Sequence, residues 1–206
     1  GSLITITFIL ILSGLREVTT ESMILAGVAL SAFFSACTML LQYFADDVQV
    51  AATVFWTFGD LGKAGWKEVL LMATMLAPAL AYFARHAWSC NALQWGDETA
   101  RSLGVGVKGL RITGMLLAGL TVAVTTAFLG IIGFIGLLAP HCMRLVIGHD
   151  HRFLLPASLL AGSLLLLCSD ILSRIVIAPV VIPVGIVTSF AGVPLFLYLL
   201  IRRKRP

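Results

Sequence analysis

Long apolar runs alternate with short polar connections along most of the chain. A membrane-spanning helix needs about 20 predominantly apolar residues. The runs reach or approach this length and lack the strict polar–apolar alternation of a strand. We therefore expect an all-α, polytopic membrane bundle with about six transmembrane helices, at residues 23–44, 69–83, 112–128, 131–147, 154–177 and 184–201.

A seventh apolar stretch at residues 3–15 is short for a span, with only about 13 residues. It has no basic leader, and no small-residue cleavage site follows it, so a secretory signal peptide is not indicated. We expect the chain to start inside a partial helix that is longer in a complete protein. Residues 1–206 are interpreted as a single transmembrane domain.

Composition indicates that lipid is the solvent for much of the surface. Hydrophobic residues make up 59% of the 206 residues, charged residues only 12%, and the mean hydropathy is +1.02. A soluble domain carries roughly a quarter charged residues, so the expected partner of this surface is a lipid bilayer. The net charge of +4 does not indicate nucleic acid, because the basic residues are not gathered into one patch with interleaved aromatic residues.

The positions of lysine and arginine predict the orientation, because cytoplasmic loops are enriched in both. With the basic tail at 202–205 placed in the cytoplasm, eleven basic residues fall inside and three fall outside. The inside set is Arg16, Arg85, Arg101, Lys108, Arg111, Arg144, Arg152, Arg202, Arg203, Lys204 and Arg205, and the outside set is Lys63, Lys67 and Arg174. We expect a cytoplasmic membrane protein with a cytoplasmic C-terminus, and a short interfacial helix at residues 48–58 on the outer side.

The connection at residues 91–106 carries a candidate docking element. Gly96 and Gly104 are helix breakers, and the residues between them predict one short helix. Asp97 is placed to cap this helix, and Ala100 and Leu103 form a small apolar face three residues apart. Such a helix suits docking onto a cytoplasmic partner protein; the alternative is a solvated connection between two spans.

Polar and helix-breaking residues cluster in the run at 130–144. Glycines at positions 130, 133 and 136 predict either one smooth helical face or a broken helix, and Pro140 frees a backbone carbonyl. His141 and Arg144 share a face, and we interpret His141 as a structural hydrogen-bonding residue rather than a proton relay. His149 and His151 lie two residues apart, which disfavours a metal site.

Near the outer side, Asp170 and Arg174 are four residues apart, which allows an ion pair or leaves Arg174 as a positive handle for a soluble partner. Pro183 and Gly185 open the last helix, and Gly192 and Pro194 are expected to interrupt it. The four cysteines have no metal-ligand spacing, so we expect buried free thiols; they are Cys37, Cys90, Cys142 and Cys168.

Taken in order, these landmarks resemble the FecCD family of permeases, the membrane subunits of type II ABC importers, from about residue 23 to the C-terminus. The matching residues are Gly96, Asp97, Glu98, Ala100, Leu103 and Gly104; Gly133, Phe134, Gly136, Leu137, Pro140, His141 and Arg144; Asp150, His151, Arg152, Leu155 and Pro156; Asp170 and Arg174; and Pro183, Val184 and Gly185.

The resemblance implies a permease that imports iron-siderophore, haem or cobalamin-type substrates. It implies a second permease copy, separate ATPase subunits that hold ATP and magnesium, and an extracytoplasmic substrate-binding protein. By the same resemblance, residues 96–104, with Arg101 among them, contact the ATPase, and Arg174 contacts the binding protein. The helices at 23–44 and 184–201, with residues 48–58, would line the path. No cofactor or metal is expected on this chain, and no phosphate-binding loop of the Walker type is present.

Two departures from the family pattern stand out. Family members usually have ten helices, and about the first third of that length has no counterpart here. The glutamate that commonly stands two residues before Pro183 is replaced by Val181. One alternative is an ion-coupled secondary transporter that uses His141, Asp170 and Arg174. A second is an intramembrane enzyme, for which no activated nucleophile is evident; we expect a non-catalytic subunit.

Overall fold

The computed structural model describes residues 20–202, and over this range the chain is all-helical, as the sequence predicts. One short 3-10 turn, Leu61–Lys63, accompanies the α-helices. The helices are α1 (Thr20–Tyr43), α2 (Asp47–Thr57), α3 (Trp66–Arg85), α4 (Ala87–Leu93), α5 (Asp97–Ser102), α6 (Val107–Leu129), α7 (Ile135–Ile147), α8 (His151–Ile175) and α9 (Val184–Arg202). The apolar stretch at 3–15 and most of the basic tail lie outside the described residues.

Four of the described helices, α1, α3, α6 and α8, are long and apolar enough to cross a membrane. The other two predicted spans are shorter apolar helices, at Ile135–Ile147 and Val184–Tyr198. At 1.5 Å per residue, α7 is about 20 Å long, which is less than the hydrocarbon thickness of about 30 Å. The six apolar segments are therefore present, but α7 crosses only part of a bilayer as helix.

Successive connections lie at opposite ends of the bundle. At one end, the Asp60 amide donates to the Leu129 carbonyl over 2.8 Å, and the Gly185 amide donates to the Gly59 carbonyl over 3.3 Å. At the other end, the Gln94 side chain donates to the His149 carbonyl over 2.7 Å. We call the first the glycine end, after Gly59, Gly130 and Gly185, and the second the basic end, which holds connections 86–96, 103–106 and 148–150. This alternation is the one that the loop charges predict.

The prolines do not break the helices that contain them. Pro78 lies inside α3, Pro140 inside α7 and Pro194 inside α9, and each helix continues through its proline. The interruption predicted at Pro194 was therefore wrong, because α9 continues through it. Helix-breaking residues are tolerated in membrane helices because neighbouring helices and local adjustments satisfy the freed backbone groups.

Of the two alternatives for the run at 130–144, a smooth helical face or a broken helix, the structure has the broken helix. Residues 130–134 are non-helical, and α7 begins only at Ile135. A Cβ atom at Gly130 would meet the Trp56 carbonyl, and one at Gly59 would meet the Ile131 carbonyl. Both glycines have positive φ, of 77° and 66°, which glycine adopts without the steric penalty of a side chain. The close backbone approach fixes this segment as a loop.

Small residues mediate the helix packing. Gly114 of α6 is placed so that a Cβ would lie 3.4 Å from the Phe83 ring of α3, and Gly162 of α8 faces Ala139 of α7. Such residues let helices approach closely where lipid removes the hydrophobic driving force. In contrast, α1 has no buried residue among those whose exposure is described.

The cysteines are free, as predicted, but none is buried: Cys168 is exposed, and Cys37, Cys90 and Cys142 are half-buried.

Candidate functional site

The docking element predicted at residues 96–104 is a six-residue helix, α5, at the basic end. Gly96 is its N-cap residue with φ of 104°, and Gly104 follows it with φ of 80°. Both values lie in the region that glycine favours, which explains why the two glycines delimit the helix. The sequence predicted Asp97 as the N-cap residue, but in the structure Asp97 is the first helical residue. Asp97 and Glu98 still complement the positive end of the helix dipole.

Ala100 and Leu103 do not form one apolar face. Ala100 is fully buried within this chain, whereas Leu103 is 67% exposed. The buried face holds α5 against its own chain, and a separate exposed face presents Glu98, Thr99 and Leu103 outward. Because a partner protein contacts only what is exposed, Leu103 and not Ala100 is the apolar residue available for docking.

An ion pair connects α5 to the following long helix. The Arg111 guanidinium in α6 donates to an Asp97 carboxylate oxygen over 3.0 Å. The two side chains are 42% and 40% exposed, and exposed pairs of this kind contribute only about 0–1 kcal/mol. The connection orients α5 but does not hold it strongly. Sequence reasoning placed both residues at this end without pairing them.

A stronger set of hydrogen bonds connects α4, which directly precedes α5, to the start of α8. The Asn91 side-chain amide donates to the Asp150 carboxylate over 2.8 Å, and the Asn91 side-chain oxygen accepts from the His151 backbone amide over 2.8 Å. Asp150 is the N-cap residue of α8 and also accepts from the Arg152 amide over 2.9 Å. Asn91 therefore contacts both the N-cap and the first residue of α8.

Gln94 and the His151 ring complete this α4–α8 junction. The Gln94 side-chain nitrogen lies 2.7 Å from the His149 carbonyl and 2.6 Å from His151 Nδ1, which in turn lies 2.9 Å from the Asn91 side-chain oxygen. A single ring nitrogen either donates to Asn91 or accepts from Gln94, according to its tautomer. The His149 carbonyl and the His151 ring thus form hydrogen bonds with Gln94 and Asn91.

The environment of Asp150 favours its ionised form. Its pKa is lowered, first by the hydrogen bond from the Asn91 side chain and then by that from the Arg152 backbone amide. Beside it, the Arg152 guanidinium lies 4.7 Å from the centre of the Trp88 ring of α4, a cation–π distance. Hydrogen bonds to a charged group are stronger than those between neutral groups, so the Asn91–Asp150 bond strengthens the α4–α8 junction.

Sequence reasoning missed Asn91, Gln94 and Trp88. Asp150, three residues before the long apolar run that begins at Phe153, is an N-cap signal, and it could have marked the start of α8. Nothing in the sequence, however, indicates which polar residues of a distant connection reach that cap.

At the glycine end, Asp170 and Arg174 form the ion pair that their spacing allows. Arg174 donates to Asp170 through Nε over 2.9 Å and through a terminal nitrogen over 3.2 Å. The intervening Ser173 is fully buried, and its carbonyl accepts from the Ile182 amide over 3.0 Å. The neighbouring Val181 is exposed. The Arg174 side chain is 53% exposed, so it is held by Asp170 and remains accessible.

The other predicted motif residues are divided between the two ends. A Cβ at Gly185 would lie 2.6 Å from the Ile131 carbonyl, which places the turn after Pro183 against the 130–134 loop that contains Gly133. Gly136, Pro140 and Arg144 lie along α7 and approach the basic end in that order.

His141 and Asp170 do not form a common site. Gly162 of α8 packs beside Ala139 and Ile135 of α7, and the two helices run in opposite directions between the ends. From the helical rise, His141 and Asp170 are about 18 Å apart along the bundle. This separation disfavours a direct proton relay or an acid–base pair between them.

Comparison with known proteins identifies a family and relatives with the same architecture. The family model described as the FecCD transport family matches residues 1–202. A protein named as a candidate ABC transporter permease from Methanocaldococcus jannaschii is 56% identical over 98% of this chain. A hemin transport system permease of Yersinia pestis is 39% identical over 99% of the chain. A vitamin B12 import system permease of Klebsiella pneumoniae is 37% identical over 97%.

The fold has a solved counterpart in an inward-facing, metal-chelate-type candidate ABC transporter, with a TM-score of 0.88 and 31% sequence identity. That match covers 96% of this chain and 63% of the solved one. The chain spans 58% to 61% of the length of the three relatives named above. The relatives are ABC permeases, so the secondary-transporter alternative is not favoured. The chain belongs to the FecCD transport family, and its long apolar helices are those of a multi-pass membrane protein.

Proposed function

We propose that the complete protein is the permease subunit of an ATP-driven ABC importer in the cytoplasmic membrane, with the basic end and the C-terminus in the cytoplasm. The observation that carries the proposal is α5. It is a short helix delimited by two glycines, buried on the Ala100 side, exposed at Leu103, and attached to α6 and, through α4, to α8. A docking partner that moves α5 would also move two long apolar helices.

The partner at the basic end is an ATPase subunit that binds ATP and magnesium. The chain supplies exposed acidic, basic and apolar groups in one short stretch, with Glu98, Arg101 and Leu103 all accessible. Protein interfaces commonly combine a small apolar centre with a charged rim. In this role the subunit performs no bond chemistry itself, and the energy of ATP binding reaches the membrane helices mechanically.

The partner at the glycine end is a substrate-binding protein with acidic docking residues. Arg174 is accessible and is already oriented by Asp170. A carboxylate from the partner would form bidentate hydrogen bonds with the planar guanidinium. An arginine held in one orientation before binding loses less side-chain entropy on docking.

A second copy of the permease would cover part of the apolar surface, and α1 and α9 with α2 would line the path between the copies. The exposed apolar side chains along α1 support this proposal, because none of the α1 residues whose exposure the structure describes is buried. The proposed substrates are iron-siderophore, haem or cobalamin-type compounds, by analogy with the hemin and vitamin B12 permeases. Selectivity among them would rest largely on the binding protein.

The test is co-purification of the full-length protein with the ATPase encoded beside it, in nanodiscs. Leu103→Glu should abolish the complex while the permease stays folded, since the side chain is exposed. His149→Glu is the matched control, because His149 is also exposed at the basic end and its hydrogen bond uses only the backbone carbonyl. Failure of the folded, unmodified protein to bind any ATPase would overturn the proposal and favour ion-coupled transport.

A further inference from the structure

The α4–α8 junction consists of more polar contacts than two adjacent helices need for packing. Ala87 of α4 and Leu154 of α8 are both buried, so apolar packing already brings the helices together. Asn91, in addition, uses its donor and its acceptor on two successive residues of α8, Asp150 and His151. An asparagine that bonds in both directions fixes rotation as well as distance, because each bond has its own required angle.

The junction lies on one of two paths from α5 into the bundle, and the other is the direct connection to α6 through residues 103–106. Leu93 ends α4, and α5 begins at Asp97, with only three residues between them. Within this connection, the Gly96 amide donates to the Leu93 carbonyl over 3.2 Å, and the Trp95 amide donates to the Ala92 carbonyl over 3.2 Å. Such hydrogen-bonded turns leave little slack between α4 and α5. A displacement of α5 must therefore reach α4, and what happens next depends on how α4 is attached to α8.

We infer that Asn91 is a positioning residue that makes α4, α5 and the start of α8 move as one body, so that displacement of α5 is delivered to α8. This inference rests on the proposed function of α5. Without Asn91, the Gln94–His149 hydrogen bond, the Arg152–Trp88 contact and apolar packing still join α4 to α8, but the two side-chain bonds to successive residues of α8 are lost, and α4 becomes free to rotate against α8. The Asn91 side chain therefore determines how completely movement is transmitted and has no role in whether α5 binds a partner.

The experiment measures a distance within the full-length protein in nanodiscs, with and without its ATPase and a non-hydrolysable ATP analogue. Spin labels replace Trp95, next to α5, and Leu160 on α8, which are 79% and 74% exposed. In the otherwise unmodified protein, with one labelled copy in each complex, we expect one narrow distance distribution that nucleotide leaves unchanged. In Asn91→Ala the distribution should broaden, and nucleotide should shift it by on the order of 2 Å, the scale of helix shifts in allosteric proteins.

A reversed pair serves as the rescue. In Asn91→Asp with Asp150→Asn, the carboxylate stands on α4 and the amide on α8, so a donor and an acceptor again face each other between positions 91 and 150, with their roles exchanged. This double variant should restore the narrow, nucleotide-independent distribution, which Asn91→Asp alone should not. Ser89→Ala, in the same helix, is the neutral control, because the Ser89 hydroxyl is not one of the junction's bonding groups.

The outcomes separate the two proposals. Retention of the narrow distribution by Asn91→Ala in both nucleotide states overturns the role of Asn91, as does a nucleotide-dependent distance in the unmodified protein. The distances measured without ATPase test the junction even if the protein binds no ATPase. Failure to bind an ATPase would overturn only the proposed function. If Asn91→Ala fails to fold, the single Asn91→Asp and the reversed pair carry the same comparison.

Discussion

The Arg111 guanidinium lies 3.0 Å from the Asp97 carboxylate, so the first residue of α5 is paired with the second turn of α6. Both side chains are about 40% exposed, so the contact between them is mainly electrostatic and not one of buried packing. Its strength therefore depends on charge and on the ionic strength of the solution, which makes it open to direct measurement.

Removing this ion pair should have a small, salt-dependent effect. We expect Arg111→Ala to lower the free energy of unfolding by no more than about 1 kcal/mol. The difference should shrink at high salt, because salt screens exposed charges. Thermal unfolding of the purified protein at low and high salt measures both effects. Lys108→Ala, an exposed lysine one turn earlier in α6, is the control, and an equal loss in that variant would contradict the pairing.

The buried face of α5 should not accept a larger side chain. Ala100 is fully buried, and overpacking typically costs about 1–3 kcal/mol. We therefore expect Ala100→Leu to lower the melting temperature markedly. Thr99→Leu changes the neighbouring exposed residue of the same helix and should stay within about 0.5 kcal/mol of the parent. Equal stability of the two variants would show that α5 does not pack through Ala100.

The three glycines of the glycine end should each resist substitution by alanine. A Cβ at Gly59, Gly130 or Gly185 would collide with a backbone carbonyl, and the first two positions also have positive φ. We expect each variant to lose at least about 2 kcal/mol of stability. The measurement is the melting temperature of each variant in one detergent.

Gly109 in α6 provides the control for these three glycines. No atom lies within 4 Å of a Cβ built at Gly109, and replacing a helical glycine with alanine stabilises by about 0.5–1 kcal/mol. Gly109→Ala should therefore raise the melting temperature. If Gly59→Ala or Gly130→Ala also raised the melting temperature, the close backbone contact between Gly59 and the 130–134 loop would be contradicted.

Acid should weaken the α4–α8 junction through Asp150. Because its folded-state pKa is below the ordinary value of 3.8, Asp150 contributes stability above that value. The contribution is lost as pH falls through the lowered folded-state pKa. We expect the stability difference between the parent and Asp150→Asn to be constant above about pH 5 and to narrow below pH 4. Melting temperatures measured from pH 3 to 7 test this, and a difference that grows on acidification would contradict it.

Much of the fold follows from one-dimensional pattern. Hydropathy alone predicts the six apolar segments, the charges of the connections predict their alternation between two ends, and the i, i+4 spacing allows the Asp170–Arg174 pair that forms. These features are local or additive along the chain, since a helix satisfies its own backbone hydrogen bonds. The ends of α5 are also predictable from the sequence, because Gly96 and Gly104 end the helix through their own local backbone conformation.

The sequence by itself therefore determined that the chain is a membrane helical bundle with a short, glycine-delimited helix between two spans. Only the tertiary structure decided which side of that helix is free, where α7 begins, and what holds α4 to α8. Ala100 and Leu103 are both apolar, and only packing decides that the smaller is buried and the larger is exposed. Asn91 and Asp150 are 59 residues apart, and no local pattern pairs two polar groups across that distance. Contacts of this kind depend on how the long helices pack, which is a property of the whole bundle.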